Sequence, residues 1–366
     1  MSKRPIKKIG VLTGGGDCPG LNAVIRAVTK TAILKYDLQV VGYKFGYKGL
    51  YTNDHTKLTL NKVRGIAHIG GTIIYTSNKD NLFIYPFEEN GQIVYRDVSD
   101  VAIQNMKNDD IDALIVIGGD GTLTSARDFA RKGCNIIAVP KTIDNDLDIT
   151  DVTFGFNTAV DTATDALDKL HTTAESHHRI MILEVMGRTA GWIALQAGIA
   201  GTANIILIPE IPFIMGKVVE KINSRAHEGK MSTIIVVSEG AKVIDGDVVV
   251  QKIVKDSPDP VRLGGIGYKL AKDLEQYITD LEIRCTVLGH LQRGGQPTTY
   301  DRILATRYGV KAVDILMERK FGNMVCLKGN DLSFVSLENV IGHLKLVNPE
   351  GDLIKTAKSI GVSFGI

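Results

Sequence analysis

Three aspartates on two loops are the residues of this chain best suited to do chemistry. Asp120 lies in Gly118-Gly119-Asp120-Gly121-Thr122, and Asp144 and Asp146 lie in Thr142-Ile143-Asp144-Asn145-Asp146. A carboxylate beside a glycine turn can hold a divalent cation against phosphate oxygens. A second carboxylate can accept the proton of an attacking hydroxyl. That division of labour is magnesium-assisted phosphoryl transfer. Paired glycines let the backbone turn sharply and leave its N–H groups open to an anion. Thr122 is expected to cap the helix that follows, whose N-terminus favours phosphate.

The elements that must position these loops are legible around them. Residues 113–117 form a short apolar, β-branched run, and residues 135–139 form another that ends at Pro140. Such runs suit buried parallel strands. Parallel strands of an open α/β sheet bring both acidic loops to one carboxyl edge, where ligands bind. Either loop alone fits an ordinary strand-helix-strand unit with solvated acids; together, at this spacing, they make a site.

Polar residues recur after later strands. Arg188 follows the run at 180–185, Glu239 follows 233–237, and the loop His290-Leu291-Gln292-Arg293 follows 282–288. Arg179, Arg188, Arg284 and Arg293 are bidentate donors suited to phosphate. Any one of them taken singly reads as a surface ion pair. His177, His178 and His290 have no metal-ligand spacing.

The chain opens with a strand at 8–13, the loop Gly14-Gly15-Gly16-Asp17-Cys18-Pro19-Gly20 and a helix at 21–34. A glycine loop there is a usual place to hold phosphate. It fits neither common template: Pro19 stands where a dinucleotide fingerprint needs its third glycine, and no Lys-Ser/Thr pair closes a P-loop. A dinucleotide oxidoreductase is disfavoured on that ground. A non-catalytic nucleotide sensor would not need both Asp120 and Asp144. Asn90-Gly91 marks a surface hairpin, and Asp245-Gly246 suggests another over 243–254. Helices are expected at 159–172 and 299–319. Alternation of strand and helix predicts an α/β protein with two lobes of mainly parallel sheet and helices on both faces. At 366 residues the chain exceeds a typical single core. Residues 1–151, with 289–330 returning, would form the larger donor-binding lobe. Residues 152–288 would form the smaller sugar-phosphate lobe, with 331–366 crossing back.

A net charge of +2 gives no bulk attraction to nucleic acid or membrane. No apolar run resembles a signal peptide or spans a bilayer. Cys18, Cys134, Cys285 and Cys326 are scattered, which points to the reducing cytoplasm and away from a zinc site.

The motifs GGGDCPGLNAVIR from Gly14, GGDGT from Gly118, PKTIDND from Pro140, EVMGR from Glu184 and GHLQRGG from Gly289 resemble those of the 6-phosphofructokinase family. GGDGT alone also occurs in NAD and lipid kinases; the set in this order is specific, and the resemblance covers nearly the full chain. It implies phosphorylation of fructose 6-phosphate at the 1-hydroxyl by ATP with Mg2+. Asp120 would bind the magnesium, while Gly16 and Gly119, Gly121 and Thr122 hold the donor. Asp144 would be the base, with Thr142 and Ile143 beside it and Arg188 stabilising the transferred group. Arg179, Arg284, His290 and Arg293, on a loop with Leu291 and Gln292, would hold the 6-phosphate. Met186, Gly187 and Glu239 would contact the sugar. Arg179 and Arg284 would come from a neighbouring subunit, usually in a homotetramer, with a dimer as the alternative.

Two positions depart from the bacterial ATP-dependent pattern. Asn78-Lys79 stands where an arginine is expected, with Lys79 as the substitute donor contact. Lys141 is typical of pyrophosphate-dependent relatives, yet those carry Asp where this chain has Gly121. That mixture favours ATP and keeps pyrophosphate as the alternative donor. At the bacterial effector site Arg26 is kept, but Lys30 and His171 replace arginines, so no effector is inferred.

Overall fold

A computed structural model describes residues 5–253 and 261–366. In chain order its strands are β1 (Lys8–Thr13), β2 (Gln39–Tyr43), β3 (His55–Leu58), β4 (Tyr85–Glu89), β5 (Gln92–Arg96), β6 (Ala113–Gly118), β7 (Ile136–Thr142) and β8 (Phe154–Gly155). They continue with β9 (Arg179–Val185), β10 (Ile205–Leu207), β11 (Thr233–Ser238), β12 (Val250–Ile253), β13 (Val261–Leu263), β14 (Glu282–Val287), β15 (Asn323–Lys328) and β16 (Asp331–Ser336).

The larger sheet runs β16-β15-β7-β6-β1-β2-β3, with β8 beside β7. Its interior strands are parallel; only the edge pairs β2–β3 and β15–β16 are antiparallel. Every residue of β6 and β7 is buried. That is why their sequences run apolar without alternation: helices cover both faces. Register makes the strand exits flush, with Thr13 beside Ile117 and Gly118 beside Pro140. The glycine loop after β1, the Asp120 turn after β6 and the Asp144 loop after β7 therefore open side by side.

The smaller sheet, β10-β11-β9-β14, is wholly parallel. Val185 pairs with Ser238, and Glu184 with Val287, so its exits are flush as well. Buried Glu184 sits behind this edge and accepts from the backbone N–H groups of Gly265 and Gly267 at 2.9 and 2.8 Å. A carboxylate at the start of the helix Ile266–Leu274 meets orphan donors and the positive end of the helix dipole.

The long helices Leu21–Tyr36 and Thr299–Met317 pack closely because Gly309 has no side chain; a Cβ there would stand 2.8 Å from the Val24 carbonyl oxygen. β4 and β5 form the hairpin expected at Asn90-Gly91, both residues at positive φ. The second expected hairpin is not formed around Asp245-Gly246: β12 pairs instead with β13. Val254 lies outside the described residues. The helix expected at 159–172 extends over Phe156–His177. β16 keeps the chain in the larger sheet as far as Ser336, and beyond it the tail reaches the smaller sheet, where Ser363 pairs with Ile205.

Candidate active site

The Asp120 turn is built by close packing of a threonine on glycine. The helix Asp120–Arg131 is capped by Gly119 with no side-chain hydrogen bond, so Thr122 does not cap it as the sequence suggested. Thr122 instead lies over Gly14 and Gly118, where an added Cβ would meet its side chain at 2.6 and 2.3 Å. Those glycines are required by that contact. Tyr47 Oη donates to the Thr122 carbonyl at 2.9 Å and fastens the turn from below. The Asp120 carboxylate stands at the helix start, half-buried. Burial raises its pKa, while Arg188 and Arg127 oppose the shift.

The first glycine loop is tied to its neighbours. Gly14 N–H donates to Ile117 O, and Gly15 N–H to Ser77 O, both at 2.9 Å. Thr76 Oγ1 donates to the Gly15 carbonyl at 2.7 Å. These bonds place Lys79 on the exposed rim of the same loop cluster. Lys141, only 4% exposed, donates through Nζ to the Gly16 carbonyl at 2.5 Å. Arg293 Nη1 donates to the Asp17 carbonyl at 3.2 Å, and Gly16 leaves room for its guanidinium.

Asp144 is the focus of this arrangement. Its backbone N–H donates to Thr142 Oγ1 at 3.0 Å, and its buried Oδ1 has no hydrogen-bond partner in the protein. An orphaned buried carboxylate oxygen is costly unless it has a task. Burial raises the Asp144 pKa, and Arg293, then Lys141, then Arg188 oppose that rise. Burial and the charge of Asp144 push Asp146 up to about 7. Thr153 steadies the loop from behind, donating through Oγ1 to the Thr142 carbonyl at 2.8 Å and through N–H to Asn145 Oδ1 at 3.1 Å.

Across the cleft, Arg188 sits exposed at φ 53, a left-handed conformation that is strained for a residue with a side chain. Glu239 Oε1 accepts from the Arg188 N–H at 3.1 Å and holds the turn. Burial, then the charge of Asp144, push Glu239 up to about 7. Gln292, fully buried, accepts from the Met186 N–H at 2.9 Å, so the loop after β14 fixes the Met186-Gly187 turn after β9. His290 and Leu291 are exposed on that loop.

Asp120, Asp144, Thr142, Ile143, Arg188, Met186, Gly187, Glu239, Gln292, Arg293 and the glycine turns thus converge on facing strand exits. Arg179 and Arg284 do not. Both lie toward the start of their strands, where each donates to Glu282. The length of β9, roughly 20 Å at strand rise, separates Arg179 from Arg188. His171 is engaged elsewhere, its Nε2 2.8 Å from the Gly201 carbonyl. Sequence reasoning gave no structural role to Gln292, and none to Glu210 or Lys345, which brace the site from outside. No helix among the described residues is long and apolar enough to cross a membrane. All four cysteines are unpaired.

This geometry is that of a two-lobed α/β phosphotransferase. The family model for phosphofructokinase matches residues 8–316, and the chain belongs to that family. It is 70% identical over 362 residues to ATP-dependent 6-phosphofructokinase 2 of Clostridium perfringens, covering 99% of each chain. It is 47% identical to an ATP-dependent 6-phosphofructokinase of Chloroflexus aurantiacus, covering 98% of each. A pyrophosphate--fructose 6-phosphate 1-phosphotransferase of Amycolatopsis methanolica is 48% identical, with 94% of this chain and 97% of that one covered. Among solved structures, the T-state phosphofructokinase of Pichia pastoris superposes with a TM-score of 0.77 at 32% identity. That match covers 93% of this chain, which spans 36% of the Pichia chain.

Proposed function

We propose that the protein phosphorylates fructose 6-phosphate at its 1-hydroxyl with ATP, giving fructose 1,6-bisphosphate and ADP. The observation that carries this is the orphaned, buried Oδ1 of Asp144, set beside the Asp120 turn on adjacent strand exits. Asp144 takes the proton of the 1-hydroxyl. Its burial favours the neutral acid, and the charges of Arg293, Lys141 and Arg188 oppose that rise. Thr142 and Ile143 line the path of the transferred group. Arg188 meets the charge that develops on it, as suits a reaction governed by positioning and electrostatics. Gly16, Gly119, Asp120, Gly121 and Thr122 cradle the donor phosphates, with Lys79 on the rim.

Asp120 would hold Mg2+, a hard cation that takes a carboxylate together with phosphate and water oxygens. The single carboxylate at a helix start fits that mode. The ion would neutralise charge on the donor phosphates.

Met186, Gly187 and Glu239 contact the sugar, and the exposed loop of His290 and Leu291 faces its phosphate with Arg293 reaching from the donor side. Arg179 and Arg284 lie too far along their strands to serve this chain's own site. We assign them to the site of a neighbouring subunit, so the working enzyme is an oligomer with shared sites, a homotetramer. The lobe division is donor-binding for the larger sheet and sugar-binding for the smaller. The enzyme acts in glycolysis in the cytoplasm, in keeping with its unpaired cysteines.

Pyrophosphate is the second reading of the donor, favoured by Lys141. Purified protein with fructose 6-phosphate, offered ATP or pyrophosphate, tests both. Turnover with neither donor would reject the function.

A further inference from the structure

A segment outside every catalytic motif braces the site. Residues 344–347 of the tail run between the base loop and the smaller lobe. Leu344 bridges antiparallel to Leu147, and the Lys345 N–H donates to the Asp146 carbonyl at 2.9 Å. Lys345 Nζ donates to the Thr150 carbonyl at 3.2 Å and also to the Asp151 carbonyl. On the other side, the Lys345 carbonyl accepts from Trp192 Nε1 at 2.7 Å, and its ammonium lies 5.4 Å from the centre of the Trp192 ring. Val347 N–H donates to Glu210 Oε1 at 2.8 Å, and the same carboxylate accepts from Gly191 N–H at 3.0 Å.

Every polar group of Lys345 is therefore committed. Its N–H and ammonium grip the loop that carries Asp144, and its carbonyl grips the first residue of the helix that follows Arg188. A tail that merely covered apolar surface would leave a lysine head in water. Here burial is strong enough to lower the Lys345 pKa to about 8, against the pull of Asp151 and Asp148.

We propose that Lys345 is a positioning residue. It fixes the Asp144 loop of the larger lobe against the Arg188 turn of the smaller one, so that base and charge-stabilising cation keep one spacing. The proposal rests on the phosphoryl-transfer reading. It also predicts a built-in probe, because Trp192 is the only tryptophan of the chain.

The test compares full-length wild type with Lys345→Met, Lys345→Arg and Trp192→Phe in steady-state kinetics, and follows Trp192 emission in the variants that retain it. Misplacement of reacting groups by about 1 Å costs on the order of 100-fold in rate. Lys345→Met is expected to lose about 10- to 100-fold in kcat, with the KM for ATP within about two-fold. Lys345→Arg, which keeps a cationic donor, should recover most of that loss. Trp192 emission should shift to longer wavelength in Lys345→Met, and fructose 6-phosphate should alter it in wild type. Wild-type kcat in Lys345→Met, or a loss that Lys345→Arg leaves unrepaired, overturns the proposal. If Lys345→Met does not fold, Trp192→Phe decides. It keeps an aromatic ring, though a smaller one, and loses the N–H donor, and a single lost hydrogen bond should cost about three- to ten-fold in kcat; unchanged kcat overturns the tie. An inactive wild type would reject the phosphoryl-transfer reading instead, a distinct outcome.

Discussion

Lys141 Nζ donates to the Gly16 carbonyl across 2.5 Å, fastening the strand that carries the base loop to the first glycine loop. Burial lowers the Lys141 pKa and Arg293 adds to the effect, while Asp144 pulls the other way. The ammonium is thus a structural clasp on the first glycine loop, and we propose that it also serves as a cation near the transferred group. Lys141→Met keeps the stem and removes the charge. A hydrogen bond to a charged group is worth about 1.5–3 kcal/mol, so the KM for the donor should rise roughly ten-fold or more. The KM for fructose 6-phosphate should change little. Equal effects on both substrates would reject the donor-side role.

Asp144→Ser tests the base. The serine hydroxyl cannot take the proton at neutral pH, and loss of a general base costs about 100- to 10,000-fold in rate. Because Asp144 Oδ1 has no partner to lose, the fold should tolerate the change. The KM for fructose 6-phosphate should stay near wild type. Turnover within a few-fold of wild type would remove Asp144 from the mechanism.

Arg179 and Arg284 share Glu282 at the amino edge of the smaller sheet. Arg179→Ala or Arg284→Ala should raise the KM for fructose 6-phosphate far more than that for ATP, since a charge-assisted contact to a dianion is lost. Mixing Arg179→Ala with Asp144→Ser subunits should restore part of the activity, because some hybrid sites carry neither lesion. No recovery after verified subunit exchange would place both arginines outside a shared site.

Glu239 gives a pH-dependent signature. Burial holds its folded-state pKa near about 7, above the ordinary 4.5. Between those values the folded chain keeps a proton that the unfolded chain has released. Stability from this group is therefore present below about pH 4.5 and declines as pH rises through about 7. Glu239→Gln carries no charge and can still accept from Arg188 N–H. It should melt higher than wild type near pH 8, by an amount on the order of 2 kcal/mol, with the gain vanishing near pH 4.5. A pH-independent difference in melting would contradict the buried-charge account.

Much of this site is local and so was legible in sequence. β6 and β7 are unbroken apolar runs, and each hands its chain directly to a loop rich in Gly, Thr and Asp, so strand, turn and acid read together. The flush register of β1, β6 and β7 then follows from parallel pairing. Other features depend on contacts between distant residues. Thr122 looks like a helix cap by position, but packing on Gly14 and Gly118 takes its side chain elsewhere. Lys141 reaches a carbonyl far back in the chain, and Gln292 reaches Met186 across the smaller sheet. Residues 344–347, Leu-Lys-Leu-Val, carry no glycine and no acid, and only the fold brings Lys345 against Asp146 and Trp192.

We propose that Gly121 selects the donor. No heavy atom lies within 4 Å of where its Cβ would stand, and its backbone lies outside the left-handed region, so a side chain meets no obstacle in the protein itself. The position is the second residue of the helix Asp120–Arg131, where an acid favours the helix dipole. Gly121→Asp should therefore fold and melt at or above the wild-type temperature. Its effect falls on the donor. The carboxylate would occupy the space against the nucleotide and face an anionic α-phosphate; at about 4 Å and an effective dielectric near 20, like charges repel by about 4 kcal/mol. The specificity constant for ATP should fall roughly 100-fold or more, with that for pyrophosphate much less affected. Lys141 can add affinity for either donor, whereas an open Gly121 is permissive for ATP, so wild type should prefer ATP. The decisive measurement is the ratio of specificity constants for the two donors at saturating fructose 6-phosphate, in wild type and in Gly121→Asp. A wild-type ratio favouring pyrophosphate would make Lys141 the better guide to the donor, and an unchanged ratio in Gly121→Asp would remove Gly121 from donor selection.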